Sequence, residues 1–293
     1  MKHFFLNIFL AIMLFSNGAS FAQVQSVEAE NDTLFFDDFS GNSLDREKWN
    51  VVGADFWVNN EQQIYVDSSA TIFNVKGDAA MGAENALVLK AHHSPDFTTF
   101  RNNKFDFISG RINTRDKVMF TYGTAAARMK LPEGSGFWPA FWALGGGNWP
   151  ETGEIDIMEY VGETDWIGVA LHGPGYSGET PLVNKYFFPE GEDVTDWHVY
   201  SVDWTPESLN FKVDGRLIYR VTKPMVENYG KWSFDKPKFL ILNLALGGAY
   251  PYKTNGVEKP YNGIPESTLD LIKDGKAEVY IDWVLISKQD GVN

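Results

Sequence analysis

The chain has 293 residues, no cysteine, a formal net charge of −14 and 15% aromatic residues. Its acidic balance excludes nucleic acid, anionic membrane and sulfated or uronate-rich polysaccharides as natural partners, since all of these reward a basic surface. The lack of cysteine excludes a disulfide framework and lipid anchoring through a thiol, so the fold must rest on burial, which roughly 270 residues beyond a leader can supply as one domain.

At the start, Met1-Lys2-His3 precedes an apolar run over residues 4–15, and small residues follow at Ser20 and Ala22. That is the pattern of a cleaved secretory signal, and the run is shorter than the ~20 apolar residues that span a bilayer. Residues 1–22 are therefore predicted as a signal cleaved near Ala22, 23–33 as a short leader and 34–293 as a single domain. The mature product is expected to be secreted or periplasmic, off the membrane and monomeric. Removing Lys2, the only formally charged residue of the signal, takes the charge from −14 to −15.

Strands follow in close succession, punctuated by Gly, Asn, Asp and Pro: residues 34–39, 86–91, 107–114, 122–130, 153–161, 167–172 and 197–204. Residues 209–213 and 216–221 flank Asp214-Gly215, a pair that favours a tight hairpin turn with positive φ. Further strands are predicted over 239–246 and 277–287, with at most short helices over 43–49 and 223–229. So many short strands predict an all-β sandwich of two antiparallel sheets. The stretch 247–267, rich in Gly, Pro, Tyr and Asn, reads as a long loop of the kind that often binds ligands.

The segment Gly153-Glu154-Ile155-Asp156-Ile157-Met158-Glu159-Tyr160 carries most of the functional signal. Alternation puts Glu154 and Asp156 on one face, and strict phase would set Met158 beside them. A β-bulge after Asp156, with Met158 as the extra residue, returns Glu159 to the acidic face. Three carboxylates on one sheet face repel each other, and coupled acids of this kind hold one carboxyl protonated beside an ionised one. Upstream, Trp138, Trp142 and Trp149 supply more aromatic surface than a strand pair needs for its core, and tryptophan faces stack on sugar rings. Hydrolysis of a glycosidic bond needs a proton donor and, in the retaining route, an attacking carboxylate. Glu154 and Glu159 suit these roles, with Asp156 between them.

These residues resemble glycoside hydrolase family 16. Glu154-Ile155-Asp156-Ile157-Met158-Glu159 matches the bulged signature of its laminarinase-like branch, and the likeness extends through Phe36-Asp37-Asp38-Phe39, Trp57-Val58-Asn59-Asn60-Glu61, Ser109-Gly110-Arg111-Ile112, Trp138-Pro139-Ala140-Phe141-Trp142, Asn243-Leu244-Ala245-Leu246-Gly247-Gly248 and Ile281-Asp282-Trp283. The resemblance implies a β-jelly-roll whose concave sheet forms an open cleft, and internal cleavage of β-1,3 linkages in laminarin or mixed-linkage glucan with retention of configuration. It implies Glu154 as nucleophile, Glu159 as acid/base and Asp156 as helper. Trp138, Trp142, Trp149 and Asn59 then line sugar subsites, with core packing the competing reading for Trp142, and His172 lies within reach of the site. No cofactor is required for catalysis. A structural calcium is implied at Asp282, where an ion pair is the alternative. The expected partner is a neutral β-glucan. A mixed-linkage-specific enzyme, a neutral galactan hydrolase and a non-catalytic glucan-binding protein are the alternatives, because Ala249-Tyr250-Pro251-Tyr252 departs from the tryptophan that many laminarinases carry soon after the glycine pair.

Overall fold

The computed structural model describes residues 32–53 and 56–288. The predicted signal, its cleavage point and the leader as far as Asn31 lie outside the described residues. In chain order the strands are β1 (Thr33–Asp37), β2 (Asn50–Val51), β3 (Gln63–Tyr65), β4 (Ile72–Lys76), β5 (Asn85–Lys90), β6 (His92–Thr98), β7 (Lys104–Ser109), β8 (Arg111–Asn113) and β9 (Gly123–Lys130). They continue as β10 (Phe137–Gly145), β11 (Glu154–Glu159), β12 (Trp166–His172), β13 (Leu182–Phe187), β14 (His198–Trp204), β15 (Ser208–Val213), β16 (Arg216–Thr222), β17 (Lys238–Leu246) and β18 (Glu278–Ser287).

Two antiparallel sheets stack as the alternation demanded. One runs β16-β15-β14-β9-β18-β5-β4, with β1 also on β18, and the other runs β13-β12-β11-β10-β17-β8-β2. Leu87, Leu89, Ala127, Met129, Val202 and Phe211 of the first join Phe137, Phe141, Ile155, Ile167, Leu171, Leu242 and Leu244 of the second in one buried cluster. Burial of such side chains contributes roughly 1.5–3 kcal/mol each and is the main force closing the sandwich. A small third sheet, β3-β7-β6, includes a parallel pairing of β3 with β7.

The Asp214-Gly215 turn has φ 49° and 77°, the positive pair that a tight hairpin requires. Elsewhere the expectations need correction. Residues 107–114 are not one strand but break at Gly110 into β7 and β8, which belong to different sheets. A Cβ at Gly110 would stand 2.7 Å from the Thr71 carbonyl oxygen, so the chain can pass there only as glycine. Residues 43–49 form a turn rather than a helix, closed by Trp49 N–H to the Asp45 carbonyl at 2.9 Å while Trp49 itself enters the core. The short helix after β16 is present as α1 (Lys223–Glu227). The stretch read as a loop contains α2 (Ala249–Asn255) and the start of α3 (Glu266–Lys273). Among the described residues, no helix is long and apolar enough to cross a membrane.

Candidate active site

β11 is the third strand from the β13 edge of the seven-stranded sheet. Its Ile155, Ile157 and Met158 are buried in the core, which leaves Glu154, Asp156 and Glu159 to the opposite, concave face. Across β12, Asp156 pairs with Ala170 and Glu159 with Gly168, so two residues of β11 stand opposite Val169 alone. That is the expected bulge, with one correction to its anatomy. Toward β10, Met158 pairs with Phe141 and Asp156 with Trp142, so the unmatched residue is Ile157 rather than Met158. Both side chains enter the core, because a bulge turns two successive residues to the same side before the alternation resumes.

Residues directly opposite each other in a ladder share a face. β10 therefore sets Ala140, Trp142 and Leu144 beside Glu159, Asp156 and Glu154, and β12 sets Gly168, Ala170 and His172 beside the same three acids. Half-buried Trp138 donates its indole N–H to Glu159 Oε1 at 3.0 Å. Trp142 is also half-buried, not core: its N–H donates to Asn243 Oδ1 at 2.8 Å, and the Arg111 guanidinium lies 4.9 Å from its ring. Trp149, 50% exposed, stands 6.1 Å from the His172 ring.

His172 Nε2 lies 3.3 Å from Asp156 Oδ2 and 3.7 Å from Glu154 Oε1. Its Nδ1 accepts the Gly178 N–H at 3.2 Å, which leaves the proton of the neutral ring on Nε2, the nitrogen that faces the acids. Ligand atoms of Glu154, Asp156 and His172 lie within 4.8 Å of one another, a spacing that an ion could bridge. The ring does not fit that use, since a metal at Nε2 would need the proton moved to Nδ1, against the Gly178 donor.

Burial pushes all three carboxyls up to about 8; repulsion from Asp156 adds to this at Glu154 and Glu159. Groups so coupled titrate as a set. Near neutral pH the set holds protons that isolated carboxyls would have lost. Asp156 Oδ2 is buried and, although His172 Nε2 lies 3.3 Å away, receives no hydrogen bond of good geometry, which a carboxylate tolerates poorly and a shared proton relieves.

Beyond Trp142 lie Arg111 and Glu61, which sequence reasoning had not assigned to the site, and Asn59, which it had. Arg111 is buried with its guanidinium 4.4 Å from the Phe56 ring and 5.7 Å from Tyr65. Buried Glu61 accepts from Gln63 Nε2 at 2.7 Å and from Tyr65 Oη at 3.1 Å, and burial raises its pKa. Asn59, exposed and left-handed at φ 55°, accepts the Ala249 N–H at 2.8 Å through its carbonyl, which ties it to the start of α2. Asn243 carried a sequence signal, a lone polar residue in the apolar run of β17. Arg111 carried none beyond the motif containing it.

Asp282 stands apart from this constellation. The structure gives it the ion pair of the two alternatives: Arg128 Nη1 donates to its Oδ2, and the same guanidinium lies 4.7 Å from the Trp197 ring. Among the described residues, the group of acids and imidazoles spaced for an ion is Glu154, Asp156 and His172, and Asp282 is not part of it. The calcium expectation thus gains no ligand cluster there, because the basic partner already answers the charge.

The acids lie on a sheet face rather than in a pit, and concavities of about 600 and 490 Å³ lie elsewhere, one beside Glu133 and Thr268, the other beside Asn148 and Lys236. A family model described as "Glycosyl hydrolases family 16" matches residues 55–262. The chain is 35% identical over 235 residues to a beta-glucanase of Rhodothermus marinus, covering 75% of this chain and 77% of that protein. It is 34% identical over 241 residues to glucan endo-1,3-beta-glucosidase A1 of Niallia circulans, covering 74% of this chain but only 34% of that longer protein. The endo-beta-1,3-glucanase structure from Pyrococcus furiosus superposes with a TM-score of 0.75 at 33% identity, covering 89% of this chain and 97% of that one. The matched model and these similarities, together with the bulged acidic strand on a concave sheet, show that the chain belongs to glycoside hydrolase family 16.

Proposed function

We propose that the protein is a retaining endo-β-1,3-glucanase that cuts inside neutral glucan chains. The observation that carries this reading is the trio Glu154, Asp156 and Glu159, with Asp156 buried and both glutamates half-buried on one open sheet face between Trp138, Trp142 and Trp149. An open face admits a polymer at any point along its length, and the tryptophans offer stacking surfaces on either side of the acids.

Roles follow from the partners of each acid. Around Glu154 gather groups that favour an ionised carboxylate: the Nε2–H of His172, the Trp149 indole, and the charges of Arg111 and Lys238. At Glu159 burial and the charge of Asp156 favour the protonated form, and they outweigh the indole N–H that Trp138 donates. Glu154 thus attacks the anomeric carbon while Glu159 gives its proton to the glycosidic oxygen, and the bond between that carbon and oxygen breaks. Glu159, now a carboxylate, takes a proton from water, and the hydroxide attacks the same carbon and releases Glu154. Asp156, between them and 3.3 Å from His172 Nε2, helps to keep the two glutamates in distinct protonation states. Carboxylates alone perform these steps, so no cofactor enters.

Purified protein incubated with laminarin is expected to release oligosaccharides whose new reducing ends are first seen by NMR in the β configuration. Inactivity on both laminarin and mixed-linkage glucan would overturn the reading, and activity confined to mixed-linkage glucan or agarose would reassign the substrate. Two inversions give retention; an α first product would remove Glu154 as nucleophile. We further infer that the protein is exported, motivated by the apolar run before Ala22. N-terminal sequencing of the released protein should begin at Gln23, and an intact Met1 end would sink that inference.

A further inference from the structure

Resting on that reading, the geometry points to Tyr250 as a positioning residue for the acid/base Glu159, acting through Trp138. Tyr250 is the second residue of α2, which begins directly after Gly247-Gly248, where the chain leaves the inner strand β17. Gly248 has φ 91° and a Cβ there would stand 2.8 Å from the Asn59 carbonyl oxygen, so glycine sets the turn that brings Tyr250 back over the sheet. The helix is pinned at both ends: Ala249 N–H donates to Asn59 at 2.8 Å, and Asn255 Nδ2 donates to Ser135 Oγ at 3.0 Å. Its Lys253 also pairs with Glu179, next to the Gly178 that holds His172.

From this mount the Tyr250 ring meets Trp138 edge-on, with centroids 5.8 Å apart and planes at 85°. Its hydroxyl reaches over Gly168, where a Cβ would lie 3.4 Å from the phenol oxygen. Gly168 is the β12 residue opposite Glu159, so the phenol oxygen stands on the same face as that acid. Burial raises the pKa of the phenol, and the fields of Glu159, Asp156 and Glu163 raise it further, so it stays neutral and does not compete for the proton. Tyr250 and the sheet together confine the Trp138 indole to the orientation in which its N–H meets Glu159 Oε1 at 3.0 Å, leaving Oε2 to carry the proton. Edge-to-face aromatic pairs contribute about 0.5–1.5 kcal/mol, enough to hold one rotamer of a half-buried indole.

A residue that acts on the proton donor matters in proportion to how badly the leaving group needs a proton. The test compares laminarin with a 2,4-dinitrophenyl β-laminarioligoside, whose phenolate departs unprotonated. Tyr250→Ala is expected to lower kcat on laminarin by roughly 5- to 10-fold with little change in KM, and to lower kcat/KM on the aryl substrate, which reports formation of the glycosyl-enzyme alone, by less than about twofold. The groups that face Glu159 are Asp156 and Glu154 on its own strand, His172 on β12, Trp138 on β10 and Tyr250 on α2. The Trp138 N–H lowers the pKa of Glu159. Loosening it should therefore move the basic limb of kcat/KM to higher pH. Tyr250→Phe, which keeps the ring, should stay near wild type. Trp138→Phe, which keeps the packing but lacks the N–H, should reproduce the selective loss and be non-additive with Tyr250→Ala. Equal losses on both substrates, a change in KM alone, or additive effects would overturn the role of Tyr250 while leaving the glucanase reading intact. Inactivity of the wild-type protein on laminarin would instead refute that reading.

Discussion

Glu154→Ala is expected to reduce turnover of laminarin by roughly 10³-fold or more, and added azide is expected to restore part of the turnover of an aryl glycoside with an α-glycosyl azide as product. The truncation removes the attacking carboxylate but opens a space on the same face of the anomeric carbon, where a small anion can enter. A single displacement from that face inverts the β centre. Glu159→Ala should be similarly slow on laminarin, whose alkoxide leaving group needs its proton. On an activated aryl substrate the covalent intermediate still forms, and azide then attacks it to give the β-glycosyl azide, the product of two inversions. The pair of variants thus reads the two roles separately. Exchanged products would reverse the assignment of Glu154 and Glu159, and a loss of less than about tenfold in Glu154→Ala would remove that residue from the attack. A glucan-binding protein without turnover would show neither effect.

The concave acids could be read from sequence because their information is local. Period 2 separates Glu154 and Asp156 from Ile155 and Ile157, and one extra residue suffices to restore Glu159 to their side. Which residue becomes unmatched is decided by the pairing with β10, not by β11 itself, so Ile157 rather than Met158 could not be singled out beforehand. The Asp214-Gly215 hairpin was equally local, set by two residues that tolerate positive φ. What depended on distant chain was lost. Gly110 breaks a plausible strand only because Thr71 lies against it, and Arg128 answers Asp282 from a neighbouring strand 154 residues away. Helix α2 hid behind Gly, Pro and Tyr, residues whose local preference is for turns, and its form depends on the anchors at Asn59 and Ser135. Tyr250 accordingly appeared as a departure from a familiar pattern, and its reach to Trp138 and Gly168 became visible only with the fold.

Asp156→Asn is expected to make the protein more stable at pH 8 and to leave its stability nearly unchanged at pH 4. In the folded chain burial lifts the Asp156 carboxyl to about 8, whereas in the unfolded chain it titrates near its ordinary value of about 4. Between those limits the folded state binds more protons than the unfolded state, so the slope of unfolding free energy with pH is negative there. The stabilisation linked to that proton is complete below about pH 4 and is lost as pH rises through 8. An uncharged amide of the same shape carries no such dependence. Each pKa unit corresponds to about 1.4 kcal/mol, but repulsion among the three acids is shared, so the gain at pH 8 is expected to be roughly 2–4 kcal/mol, equivalent to several degrees in Tm. Denaturant titrations of both proteins from pH 4 to 8 measure it directly, and parallel curves would show that Asp156 is not held in its protonated form by burial. Activity should move the other way, because Asp156 stands between Glu154 and Glu159 on the same face and its charge acts on the protonation of both. If Asp156→Asn proves both more stable at pH 8 and inactive, the side chain owes its place on β11 to the reaction rather than to the sandwich.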